Sequence, residues 1–99
     1  MLKNSKKIVE KLIGPVTVGS LLKGFRMTHE LSLDEMCKKL KLTKPMLQRI
    51  ESGKHHLTLK EVVSITKKLD EPKHVYARVW CEEQARLVGL DFDDLIKVI

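Results

Sequence analysis

Aromatic side chains are scarce in this 99-residue chain, with one Trp, one Tyr and two Phe, so any core must be built from aliphatic residues. No strand pattern stands out. No apolar run is long enough to serve as a signal peptide or to span a membrane, which places the expected location in the cytoplasm. The two cysteines, Cys37 and Cys81, sit in helical pattern with no histidines at paired spacing, which excludes a zinc finger and a disulfide framework. Cys37 falls on an apolar face and reads as a small core residue. There is no nucleophile-base pair, no cluster of metal ligands and no glycine-rich phosphate loop. These absences argue against an enzyme and against any metal or cofactor.

What is present is aliphatic and basic. The length suits one domain with a single modest core. Lys and Arg number 19 against 13 Asp and Glu, a formal charge of +6. Residues 1–70 hold 15 of the basic and 7 of the acidic side chains, while residues 71–99 hold 4 and 6. The two parts are therefore expected to face different partners, the first of them a polyanion such as nucleic acid.

The organising stretch runs from Leu31 to Lys54. Ser32 and Glu35 have capping-box spacing, which predicts a helix start near Leu33. Leu33, Met36, Cys37 and Leu40 then recur at the three-and-four spacing of a buried face, with Asp34, Lys38 and Lys39 opposite. Thr43 is the next N-cap, and Pro45 suits a first turn. A second helix is predicted from about Lys44 to Ser52, with Leu47 and Ile50 inward, Met46 nearby and Gly53 closing it in the left-handed conformation. Two short helices joined this tightly match a helix-turn-helix, whose second helix enters a DNA major groove.

Around this unit the periodicity predicts three further helices. Thr17 caps one running to about His29, with Val18, Leu21, Leu22 and Phe25 inward. Thr58 and Glu61 repeat the capping-box spacing before Leu59, Val62, Val63, Ile65, Thr66 and Leu69. A longer helix is predicted from about Pro72 to Val88, capped by Asp70 or Glu71, with Pro72 in its first turn and Gly89 closing it. Its stripe of Val75, Tyr76, Val79, Trp80, Leu87 and Val88 has surface to spare after four helices have buried one another. Tyr76, Val79, Trp80 and Leu87 are accordingly expected at a dimer interface, with completion of the monomer core as the other reading. At the ends, Lys3 to Ile13 form a basic amphipathic segment, either a terminal helix covering part of the core or an arm laid along phosphates. Asp91 to Ile99 fit a short helix or a strand paired with a second chain. The resulting expectation is an all-α protein divided into a basic segment (1–15), a helix-turn-helix domain (16–70) and a dimerisation or partner-binding segment (71–99).

From about Val16 to Leu69 the chain resembles the Cro/repressor (XRE-like) helix-turn-helix family, a five-helix repressor-like domain. The most specific part is Met46-Leu47-Gln48-Arg49-Ile50-Glu51-Ser52-Gly53-Lys54. The resemblance implies that Thr43 caps the recognition helix and touches a phosphate, that Lys44, Pro45 and Arg49 lie where base edges are read, and that Arg26 and Glu51 form a structural ion pair. The chemistry of the side chains adds to this. Arg49 can bond two acceptors of a guanine, and Gln48 can read adenine in a similar way. Lys44, Lys54, His55 and His56 can reach phosphates, which position a domain without specifying sequence.

Some positions depart from the family pattern. Leu33 and Lys41 stand where glutamine and glycine are common, and Pro45 and Met46 replace polar base-readers. Lys41 then needs a left-handed backbone at a cost of about 1 kcal/mol. The segment from His74 to Leu90 is similar to the post-motif helix of antitoxin-like (HigA-type) small regulators. That similarity implies repression of the protein's own operon and a candidate partner, a basic ribonuclease toxin of the HigB/RelE kind. The expectation is a homodimer on an inverted repeat of double-stranded DNA. The contrasting reading is a protein-interaction module that keeps the fold and neutralises a partner without reading DNA.

Overall fold

The computed structural model describes residues 15–91, which form five α-helices and no strand. They are α1 (Val18–Thr28), α2 (Leu33–Leu40), α3 (Lys44–Glu51), α4 (Leu59–Leu69) and α5 (Lys73–Leu87). The expected Lys3–Ile13 segment, and all but the first residue of Asp91–Ile99, lie outside the described residues. None of the described helices is long and apolar enough to cross a membrane.

Each of the first four helices starts where its cap dictates. Thr17, Ser32 and Thr58 accept from the backbone N–H three residues on, and Ser20, Glu35 and Glu61 bond back to the cap's own N–H. Thr43 Oγ1 accepts from Met46 N at 3.4 Å, with Pro45 in the first turn of α3. Beneath the polar caps runs an apolar counterpart. The residue before each of the last three caps is Leu31, Leu42 or Leu57, and five residues on stand Met36, Leu47 and Val62. That is the spacing of a hydrophobic staple, and all six residues belong to or pack against one core. Three helices close through non-glycine residues with positive φ, Glu30, Lys41 and Asp70. At Lys41 the expected left-handed turn is found, with φ of 56°.

Leu22, Met36, Leu40, Leu47, Ile50 and Val62 are fully or almost fully buried, and each contributes about 2 kcal/mol or more through removal from water. Leu59 departs from expectation and is 39% exposed. As the first residue of α4 it lies outside the core, and Leu57, ahead of the cap, is buried instead.

The last helix also departs from expectation. Pro72 occupies its N-cap position with no side-chain cap, because Asp70 closes α4 in the left-handed conformation and the Glu71 carboxylate accepts from the Tyr76 hydroxyl at 3.2 Å. α5 packs chiefly on α4 and also on α1. Tyr76, expected at a dimer interface, is buried in the core of the single chain, and burial together with the Glu71 charge pushes its hydroxyl up to about 12. Val79 and Trp80 are half-buried against the same core, and Trp80 Nε1 donates to Leu57 O at 2.7 Å. Among the four expected interface residues, Leu87 is exposed, as are Val75 and Val88. A broad stripe had offered no way to tell which residues turn inward. Towards the end of α5 the buried residues are Glu82 and Ala85.

One close approach has a measurable consequence. A Cβ added to Gly19 would meet the Ile50 carbonyl oxygen at 2.0 Å, whereas one added to Gly24, in the same helix, would meet nothing within 4 Å. Gly19→Ala should therefore lose about 3 kcal/mol in urea unfolding, the upper range for an overpacked core. Gly24→Ala should gain about 0.5–1 kcal/mol from helix propensity and a less flexible unfolded chain.

The capping carboxylates make a second measurable contribution. Backbone N–H bonds from Ser32 and Thr58 hold Glu35 and Glu61 below the usual carboxylate range. Because the folded value is the lower one, this stabilisation is present above the ordinary glutamate range and disappears as pH falls through the folded value. Glu61→Gln, which keeps an acceptor but cannot ionise there, should flatten the fall in Tm below about pH 4.

Candidate nucleic-acid interface

The site is built from α3 and the helix that holds it. Gly19, Leu22 and Arg26 lie three and four residues apart, on one face of α1, and that face meets the end of α3. At Gly19 the missing side chain lets the Ile50 carbonyl come close. At Arg26 a fork closes on Glu51, with Nε to Oε2 at 2.9 Å and Nη2 to Oε1 at 3.0 Å, and Nη1 reaches Leu31 O at 3.4 Å. The two side chains are 17% and 8% exposed. Hydrogen bonding to Glu51 is the main cause that raises the Arg26 guanidinium above its ordinary range. The carboxylate thus spans two fixed donors, and α3 cannot roll without breaking both.

With Leu47 and Ile50 turned inward, the opposite side of α3 is left to solvent. Thr43, Lys44, Pro45, Gln48 and Arg49 are all exposed and share that face. Met46, which was expected to meet bases, is half-buried and packs against the core. Lys54 is exposed in the turn beyond α3, while His55 is half-buried there, its backbone N–H bonded to Arg49 O. His56 Nδ1 lies 3.5 Å from Glu83 Oε2, on the side facing α5. The structure therefore brings Lys44, Pro45, Gln48 and Arg49 together on a protruding helix and sets His56 apart from them. Among the described residues no group of three or more His, Cys, Asp or Glu comes together that could hold a metal ion.

Several residues that shape the site were not anticipated. Gly19 carried a sequence signal, a glycine inside a helical pattern, which often marks close packing. Asp34 carried none, since its partner Lys44, 3.6 Å away, lies ten residues on and in another helix. Glu83 accepts from Val18 N at 3.0 Å and Arg86 donates to Val16 O at 3.0 Å, so α5 fastens the start of α1 from a distance that periodicity does not register.

A short helix, a left-handed turn and an α3 clamped with its polar face outward have the arrangement of a helix-turn-helix, a unit that in DNA-binding proteins places its second helix in a major groove. A family model described as Helix-turn-helix matches residues 22–74, slightly more than half of the chain. The chain belongs to the helix-turn-helix family. No curated protein and no solved structure matches it. Membership supports a DNA-binding role of the transcription-regulator type, in a family that is not typically enzymatic. In this helix-turn-helix protein α2 and α3 are the paired helices, and α1, α4 and α5 make the supporting body.

The clamp can be tested separately from DNA. Glu51→Ala leaves the largely buried Arg26 without its counter-charge and should lower stability by about 3 kcal/mol. Replacing both partners, as Arg26→Met with Glu51→Leu, should recover much of that loss in urea unfolding.

Proposed function

We propose that the protein is a sequence-specific DNA-binding regulator that binds an inverted repeat as a homodimer and represses transcription there. The observation that carries this reading is the exposed row of Lys44, Pro45, Gln48 and Arg49 on a helix whose other side is locked into the core. Arg49 reads a guanine through two hydrogen bonds, and Gln48 reads a neighbouring adenine. Thr43 and Lys54, at the two ends of α3, bond phosphates and set the register, with His55 beside them. Lys44 reaches a base edge from the first turn, and the ring of Pro45 offers apolar contact to a thymine methyl.

Two such helices, related by a dimer axis, would enter successive major grooves about 34 Å apart. The exposed Leu87, Val88 and Leu90 at the end of α5 supply the apolar surface for that dimer. The acidic balance of residues 71–99 also suits a basic partner protein, which supports an antitoxin role towards a ribonuclease toxin.

The test is fluorescence anisotropy with labelled DNA from the protein's own promoter and a scrambled duplex, each titrated at several salt concentrations. Arg49→Ala should lose about 1–3 kcal/mol on the preferred site and relax its sequence choice, whereas Lys54→Ala should weaken both duplexes alike and lower the salt slope by about 0.9. Equal, weak binding of the unaltered protein to both duplexes would favour the protein-interaction reading instead.

A further inference from the structure

Among the acidic side chains of the basic part, Asp34 stands out by its partner in the first turn of α3. Among the described residues up to Asp70, Glu35 and Glu61 complete capping boxes and Glu51 clamps Arg26. Asp34 does neither; its charge favours the positive end of the α2 dipole. It stands in the first turn of α2 with its side chain 74% exposed, and its Oδ1 lies 3.6 Å from Nζ of Lys44, itself 52% exposed, in the first turn of α3. A pair this open adds little to folding stability. Its position gives it another consequence. It joins the starts of the two helices that, on the reading above, face the DNA, and it puts a negative charge where phosphates would approach. With Glu35 beside it, the start of α2 carries two carboxylates, while the first turn of α3 has none. An anion is thereby repelled from one helix start and admitted at the other.

We propose that Asp34 is a positioning residue for DNA specificity: its carboxylate holds the Lys44 ammonium at the start of the recognition helix and away from the phosphates, so that Lys44 serves base readout. This rests on the DNA reading proposed above. A lysine with four rotatable carbons and no tether reaches whichever phosphate is nearest, and that contact strengthens binding to every duplex equally. Tethered to Asp34, the same lysine adds less to non-specific binding. The pair also presents a donor beside an acceptor, the complement of the guanine and cytosine edges of one base pair.

The test compares Asp34→Asn, Asp34→Glu, Lys44→Ala and the double variant Asp34→Asn/Lys44→Ala with the unaltered protein, on the preferred and scrambled duplexes across a salt series. Thermal unfolding of each variant serves as the folding control. Asp34→Asn should bind the scrambled duplex about three- to fivefold more tightly, the range of one released exposed ion pair, with a salt slope steeper by about 0.9. Affinity for the preferred site should rise less, so discrimination falls; Asp34→Glu should restore it, and Lys44→Ala in the Asp34→Asn background should abolish the gain. The proposal is overturned if Asp34→Asn changes neither discrimination nor slope, or if the gain persists without Lys44, which would make it a general charge effect. A lack of site preference in the unaltered protein would instead sink the DNA reading, and the proposal with it.

Discussion

The fold depends on how closely α1 and α3 can approach. Gly19 offers no side chain where the Ile50 carbonyl comes in, and seven residues on, Arg26 grips Glu51 through two hydrogen bonds. Leu22, between them, is fully buried. Steric allowance, apolar burial and a charged fork thus act in sequence along one face of a single helix. Together they leave α3 one orientation, which decides which of its eight residues meet solvent. A helix of that length is not stable in isolation, so its orientation has to come from such contacts rather than from its own propensity.

The helix starts explain why so short a chain can hold five helices. At Ser32, Thr43 and Thr58 a polar cap satisfies backbone N–H groups, while a leucine just ahead of it is drawn into the core. Each start is therefore fixed twice, by a hydrogen bond at the surface and by burial underneath. The non-glycine left-handed residues Glu30, Lys41 and Asp70 cost about 1 kcal/mol each. That cost is small beside the burial that the resulting turns allow.

Much of this was legible in the sequence because it is local. Caps at Thr17, Ser32, Thr43 and Thr58 and the inward residues of α2 and α3 follow from spacings of three to five residues, whereas the left-handed Lys41 followed from the family resemblance. The Arg26–Glu51 pair, 25 positions apart, followed from family resemblance and not from spacing. What failed was the assignment of apolar residues to one of two uses. Trp80 and Tyr76 looked like spare surface because the stripe on α5 is wide, and only the packed structure shows that α4 and α1 take them up. Leu59 was placed inward for a related reason, since a two-residue shift at a helix start separates the buried staple residue Leu57 from an exposed first turn. Met46 has the same ambiguity, as it borders both the polar face and the core. The Asp34–Lys44 contact was invisible because it joins two helix starts whose angle no periodicity reports.

The place of α5 bears on how a dimer could form. Its inward side chains are already committed: Tyr76 to the core and Glu71, Trp80 to Leu57 O, Glu83 to Val18 N and His56, and Arg86 to Val16 O. A second copy that drew on Trp80 would have to break its bond to Leu57 O in the loop after α3, and one that drew on Tyr76 would have to open the core. The dimer proposed above would instead use surface left over at the far end of α5, where Leu87, Val88 and Leu90 are exposed. An attachment there, beyond the last bond to α1, joins two copies without disturbing the clamp between α1 and α3. That arrangement would separate the residues that set affinity between copies from those that set the orientation of α3.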